Sequence, residues 1–251
     1  PYSEQRLADL VGDQVDIATV ARRPGVAGGV ALILVTQSGE NAITIVPGAN
    51  GTVTSDEVEA ALRGRLGPGD VVCAQLEVPT PAVHAAMQIG REAKATTVLN
   101  AAPYRPDARE MLDLVDVLVV NDLEARQLVG VESEDISAMQ VVERLQRLGA
   151  RNVIVTRGSH GALFALREAR FGVPAPEVQV VDTTAAGDAF IGALVALLAE
   201  GRDWEVLAPR AVWAGALAVQ RAGAQPSLPR RVEVEEAVRK APLTVLPAAA
   251  I

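Results

Sequence analysis

The stretch DTTAAGDAF at residues 182–190 places two acids, Asp182 and Asp188, on either side of a run of small residues, Ala185, Ala186 and Gly187. Downstream, Phe190, Ile191, Leu194, Leu197 and Leu198 recur at the spacing of one helical face, so the small residues fall where a helix begins. A helix N-terminus presents unpaired backbone N–H groups and the positive end of a dipole, and that combination binds anions. Small side chains let a ligand approach the backbone closely. An acid one residue further on is placed to accept a proton from a group held against the turn. The structural alternative for Asp188 is a helix-start acid favoured by the dipole.

The elements that must position this turn follow from patterning. Upstream, PAPEVQVV at residues 174–181 is apolar on alternate positions and then continuously, which predicts a strand running into a buried sheet. Strands are expected at 71–76, 97–100, 117–120 and 153–156, alternating with helices at 55–65, 81–93, 123–129 and 138–148. That rhythm argues for right-handed βαβ crossovers and an α/β fold, a mostly parallel sheet flanked by helices. Two strands at 31–36 and 42–46 around the turn QSGEN break the rhythm and predict a small β-hairpin flap within residues 28–50. No repeat or linker divides residues 1–251, so a single domain is expected. The chain opens on Pro1 with a short amphipathic helix, an unusual start for an α/β domain, and N-terminal sequence is expected to be absent.

Composition narrows the partners. A balance of 23 basic against 31 acidic residues, net −8, with no basic block, disfavours nucleic acid and anionic membranes. No apolar run is long enough to span a bilayer. The single cysteine, Cys73, excludes an internal disulfide, and its run DVVCAQLEV predicts a buried, inert thiol in a reducing, cytoplasmic setting. No strand is followed by a Gly-x-Gly-x-x-Gly turn, which disfavours a dinucleotide oxidoreductase.

In a parallel sheet, ligands bind beyond the carboxyl ends of the strands. VTRGSHGA lies at one such end, with Gly158 and Gly161 framing Ser159 and His160; it is a turn or a binding loop. VVNDLEARQLVG lies at another. There Asn121 and Glu124 have the spacing of a capping box, which their placement also makes candidates for function. Neither His84 nor His160 has a second ligand at metal-binding spacing.

VDTTAAGDAFIGAL closely resembles the second signature of the ribokinase family of sugar and nucleoside kinases, usually D-T-x-G-A-G-D. GENAITIVPGAN, AQLEVPTPAV, LNAAPYRPDAREMLDLVDVLVVNDLEARQLVG, VIVTRGSHGALFA and LAVQRAGAQPSLP are similar to further segments of that family in the same order. The resemblance implies phosphoryl transfer from ATP to a sugar hydroxyl, with Asp188 as the base and the N–H groups of Ala185, Ala186 and Gly187 receiving the phosphoryl group. It implies sugar binding by Glu77, organisation of Mg²⁺ and phosphate by Asn121 and Glu124, and nucleotide binding by Thr156, Gly158, Ser159 and Gly161. It also implies a K⁺ site on the carbonyls of Asp182, Thr184, Ala218, Arg221 and Gly223 and the Ser227 hydroxyl, where the alternative is an ordinary helix C-terminus stopped by Gly223. The hairpin would be a lid that pairs subunits into a homodimer.

Departures from the family pattern are specific. Its Gly-Gly-rich first signature, which contacts the sugar, does not occur, LNAAP replaces the usual Asn-Pro-Ala-Pro, and Val212 stands where relatives often carry a polar residue near adenine. AAGD with RAGAQPS implies ribose as the acceptor; a fructokinase, a nucleoside kinase or an inactive nucleotide-binding fragment are the alternatives.

Overall fold

The computed structural model describes residues 2–35, 41–131 and 136–247. It opens with helix α1 (Tyr2–Gly12), followed by β1 (Val30–Val35) and β2 (Asn41–Val46). These two strands pair antiparallel, Val30 opposite Val46 and Val35 opposite Asn41, as a separate two-stranded sheet. This is the expected hairpin; most of its QSGEN turn lies outside the described residues.

Next come α2 (Ser55–Leu62), β3 (Val71–Gln75), α3 (Thr80–Glu92), β4 (Thr96–Asn100), β5 (Val117–Asn121), α4 (Asp122–Val129), α5 (Ala138–Arg147) and β6 (Asn152–Thr156). The chain then runs through β7 (Ala162–Ala165), β8 (Arg170–Val173), α6 (Ala186–Ala199), α7 (Trp204–Ala218), α8 (Arg231–Lys240) and β9 (Leu246–Pro247). Strands β3 to β9 form one sheet of seven strands in sequence order. Neighbours from β3 to β6 are parallel and neighbours from β6 to β9 antiparallel, so five of the seven strands point the same way.

Apolar side chains cover both faces of this sheet, which is why the central strands read as continuous Val, Leu and Ile. On one face Leu99, Leu118, Val120 and Val153 pack against Met87 of α3, Leu128 of α4 and Leu145 of α5. On the other, Val98, Val119 and Ile154 pack against Phe190 and Leu194 of α6 and Leu207 and Ala211 of α7. The β7–β8 pair adds an aromatic element: Phe164 and Phe171 are register partners whose rings stack at 5.0 Å, and Trp204 meets Phe164 edge-on. Trp213, also on α7, donates from its indole Nε1 to the Ala241 carbonyl at 3.0 Å.

Two expectations are corrected. Residues 174–181 form no strand, and Val180 and Val181 are 60% and 58% exposed. Ala175, Pro176, Glu177, Val178 and Val180 line a cavity, so the segment runs along a cavity wall and is not paired in the sheet. The antiparallel strands β7, β8 and β9 have too little sequence of their own to betray them. Cys73 is exposed, because it alternates with buried Val72 on the edge strand β3. Desolvation nonetheless pushes its thiol up to about 11, so it is protonated at neutral pH, as expected of an inert cysteine.

The root of the hairpin is tied down by charge. Arg23 Nη2 donates to the Thr52 carbonyl at 2.9 Å and to both Glu57 oxygens at 2.8 and 2.6 Å. Glu57 also closes a capping box with Thr54 at the start of α2. The Arg23 hydrogen bond, with help from Thr54, lowers the Glu57 pKa from 4.5 to about 2. A carboxyl depressed in the folded state contributes stability that is present above its unfolded pKa and lost as pH falls toward the folded one. Glu57→Gln should therefore lower Tm at pH 6, and the deficit relative to the parent should shrink as pH drops from about 4.5 toward 2. Thermal melts across that window check it; a deficit that stays constant with pH would reject the linkage.

Candidate active site

The carboxyl ends of the parallel strands carry a row of polar side chains. Gln75 ends β3, Asn100 ends β4, Asn121 ends β5 and Thr156 ends β6. Gln75 is the register partner of Asn100, and Asn121 that of Thr156. The crossover helices fix this arrangement, because each returns the chain to the opposite edge of the sheet before the next strand begins.

Helix α6 starts at the same edge. Ala185 precedes it in the left-handed conformation, φ 61° and ψ 9°, and Asp188 stands in its first turn. Among the described hydrogen bonds the N–H groups of Ala185, Gly187 and Asp188 have no acceptor, and that of Ala186 reaches the Thr183 carbonyl only at 3.4 Å. The turn therefore offers several free donors at the positive end of a 14-residue helix. Its shape is set by Asp182, whose carboxylate accepts from the Thr184 N–H at 2.9 Å, the Thr184 hydroxyl at 2.7 Å and the Gly223 N–H at 2.9 Å. These bonds, the Thr184 hydroxyl first, lower the pKa of Asp182.

A cavity of about 620 Å³ opens beside this turn. It is lined by Thr156, Gly158, Ser159 and Gly161 on one side and by Thr183, Ala186 and Gly187 on another. Val178, Val180, Phe190, Val212, Ala216 and Val219 supply an apolar wall. The loop after β6 is held by the Arg157 N–H donating to the Gly161 carbonyl at 2.8 Å. Gly161 has φ +85°, and a Cβ there would lie 2.0 Å from the Val173 carbonyl oxygen, so only glycine lets the loop pack on β8.

Not every candidate residue reaches this cavity. Asp188 lines a separate hollow of about 270 Å³ between α6, α7 and α8, with Gly192, Arg210, Leu228 and Arg231. Glu77 is exposed just beyond β3 and lines neither hollow. Asn121 and Glu124 form a complete capping box, with Asn121 Oδ1 accepting from the Glu124 N–H and Glu124 Oε2 from the Asn121 N–H, both at 2.8 Å. Burial raises the Glu124 pKa, and the backbone bond only partly offsets it. His160 is exposed on its loop, and His84 is half-buried on α3.

The segments expected to hold a monovalent cation lie against each other. The Val181 and Asp182 N–H groups both donate to the Val219 carbonyl, at 2.8 and 3.2 Å. Ala218 and Ser227 are fully buried, and the Ser227 hydroxyl donates to the Ala224 carbonyl at 2.7 Å. The Arg221 guanidinium pairs with Glu233. Among the described residues no cluster of three or more His, Cys, Asp or Glu could hold a metal ion. Any divalent cation here would rely on few protein ligands, with water and phosphate completing its shell.

Residues 1–231 match the pfkB family of carbohydrate kinases. The chain belongs to that family. It is similar to the ribokinase of Staphylococcus aureus, 36% identical over 234 residues that cover 92% of this chain and 76% of the relative. The crystal structure of ribokinase from Thermotoga maritima superposes with a TM-score of 0.81 at 27% identity, covering 95% of this chain and 77% of that one. Arabidopsis thaliana ribokinase, solved with ribose and ATP, superposes with a TM-score of 0.79 at 29% identity, covering 92% and 76%. As a member of the pfkB family the chain is an ATP-dependent carbohydrate kinase.

One residue missed from the sequence is Gln75, whose Nε2 donates to Asp188 Oδ1 at 2.9 Å. Asn100 is another: it is buried and donates to the Val119 carbonyl at 3.2 Å. The available signal was a polar side chain closing an apolar strand.

The conformation of Ala185 gives a direct test of the turn. Glycine is usual at this position of the family signature, and a left-handed alanine costs about 1–2 kcal/mol, partly offset by the greater unfolded entropy of glycine. Ala185→Gly should stabilise the chain by about 0.5–1 kcal/mol. Urea denaturation reads the change, and a destabilised variant would show that the turn is not strained.

Proposed function

We propose that this chain transfers the terminal phosphoryl group of ATP to a hydroxyl of ribose, giving ribose 5-phosphate. The observation that carries the reading is the first turn of α6, where Ala186 and Gly187 line the 620 Å³ cavity, the Gly187 N–H has no acceptor among the described hydrogen bonds, and Asp188 is the next residue. The complex of the Arabidopsis relative with ribose and ATP supports the choice of both substrates.

In this mechanism the acceptor hydroxyl oxygen forms a bond to the terminal phosphorus while the bond from that phosphorus to the ADP oxygen breaks. Asp188 takes the hydroxyl proton. The N–H groups of Ala185, Ala186 and Gly187 receive the charge of the transferred group, and fixed donors at a helix start need no reorganisation as it moves. The apolar wall of Val178, Val212, Ala216 and Val219 suits the faces of an adenine ring, and the 158–161 loop the phosphates. Glu77 holds sugar hydroxyls. Glu124, a carboxylate whose burial already disfavours its charge, gains from a nearby cation, and with Asn121 it would hold hydrated Mg²⁺, whose contribution is to neutralise phosphate charge. We assign the lid role to the β1–β2 sheet and propose that it pairs subunits, because Val30, Leu32, Ile45 and Val46 are exposed on a sheet too small to be stable alone. A cytoplasmic location fits the use of ATP.

A panel of pentoses, hexoses and nucleosides assayed with ATP tests the substrate; a nucleoside or fructose preferred over ribose would redirect the assignment. Asp188→Asn keeps size and hydrogen bonding but removes the base. Turnover should fall by about two to four orders of magnitude with ATP affinity largely kept, and a variant holding more than a tenth of parental turnover would remove Asp188 from this role.

The two backbone segments joined by Asp182 and Gly223 support a K⁺ site on the carbonyls of Asp182, Thr184, Ala218, Arg221 and Gly223 with the Ser227 hydroxyl. A cation there fixes the turn before the phosphoryl group arrives. Turnover or nucleotide affinity should therefore drop when K⁺ is replaced by a bulky organic cation at matched ionic strength. Equal rates in the two buffers would dismiss the site.

A further inference from the structure

Gln75 and Asp188 lie 113 residues apart and meet because β3 ends where α6 begins. Asp188 is exposed, and among the described residues it has no ion pair and no other side-chain partner. A carboxylate on such a residue samples several rotamers, and a base that must meet one hydroxyl loses rate when it is not held. The backbone that carries this amide is anchored. Gln75 is paired in register with Asn100, and the next residue, Leu76, is fully buried with its N–H on the Ala102 carbonyl at 2.9 Å. Since a carboxylate only accepts, the amide must present its NH₂ end to Asp188.

We propose that Gln75 is a positioning residue for the proton-accepting step: its amide binds Asp188 Oδ1, fixes the carboxylate plane and leaves Oδ2 for the acceptor hydroxyl. The neutrality of the partner matters. An arginine or lysine in the same place would orient the carboxylate equally well, but its charge would favour the ionised form and make it a poorer proton acceptor. An amide orients at a smaller cost in basicity. The location adds a second use, because Glu77 follows on the same chain segment two residues later, so one strand end sets the base and carries the residue assigned to the sugar. This inference rests on the reading of Asp188 as the base.

The test is a double-mutant cycle with Gln75→Met, Gln75→Glu and Asp188→Asn. Methionine keeps length without hydrogen bonding. Gln75→Met should lower kcat about 10- to 100-fold while the KM for ATP stays within about twofold. Gln75→Glu, isosteric but lacking the donor, should lose at least as much, since two carboxylates at this separation compete for one proton. On the Asp188→Asn background Gln75→Met should change the residual rate less than about twofold, because its effect passes through the carboxylate. Thermal melts and ATP titration show that each variant is folded. The proposal is overturned if Gln75→Met keeps more than half the parental kcat, if Gln75→Glu matches the parent, or if the loss recurs in full on the Asp188→Asn background. A highly active Asp188→Asn protein would instead overturn the assignment of the base, so the two failures are distinguishable.

Discussion

The three hydrogen bonds accepted by the Asp182 carboxylate decide where α6 begins. Two go to Thr184, two residues later, and close the turn on itself; the third goes to Gly223, across from the end of α7. A carboxylate that accepts this many bonds is held in its charged form, and the lowered pKa of Asp182 is the same fact stated as a proton equilibrium. With the turn closed, Ala185 is forced into the left-handed region, and the N–H groups that follow are turned out of the chain's own hydrogen bonding. The donors are free because the loop is not.

The sheet supplies the other half of the arrangement. Four parallel strands end in Gln, Asn, Asn and Thr, and short connections bring the following helices back over a common edge. The two faces of the sheet are packed by different sets of helices, so polar side chains converge at the strand ends, where no unpaired charge need be buried. The larger cavity takes its apolar wall from α7 and from the extended 174–181 segment, and its polar rim from the loop after β6. Base stacking and phosphate binding can thus be served by separate elements.

The parallel core was legible because buried strands of four to six apolar residues alternate with amphipathic helices. The strands at 97–100 and 153–156 and the helix at 123–129 each fall within a residue of the structure. The capping box of Asn121 and Glu124 was legible for the same reason, since its chemistry is local. The antiparallel strands were not, because ALFA and RFGV are short and gain their stability from Phe164 on Phe171, a contact between residues of different segments. The 174–181 segment misled in the opposite sense: its apolar residues lie extended along a cavity wall and are left unpaired. Of the site, the residues named by motif fall at one edge of the fold, yet the contact of Gln75 with Asp188 spans 113 positions and has no local signature. Cys73 shows the limit of reading burial from an apolar run, because an edge strand has an uncovered side that its composition does not reveal.

Both tryptophans of the chain belong to one helix. Trp204 begins α7 against Phe164, and Trp213 lies next to Val212, which lines the cavity, with its indole N–H on the Ala241 carbonyl. Tryptophan emission therefore reports on α7, the helix whose Val212, Gly215 and Ala216 line the larger cavity, and not on the hairpin or the crossover helices. The optical signal of this chain is a local gauge, sensitive to whatever enters beside α7 and blind to closure of the β1–β2 flap.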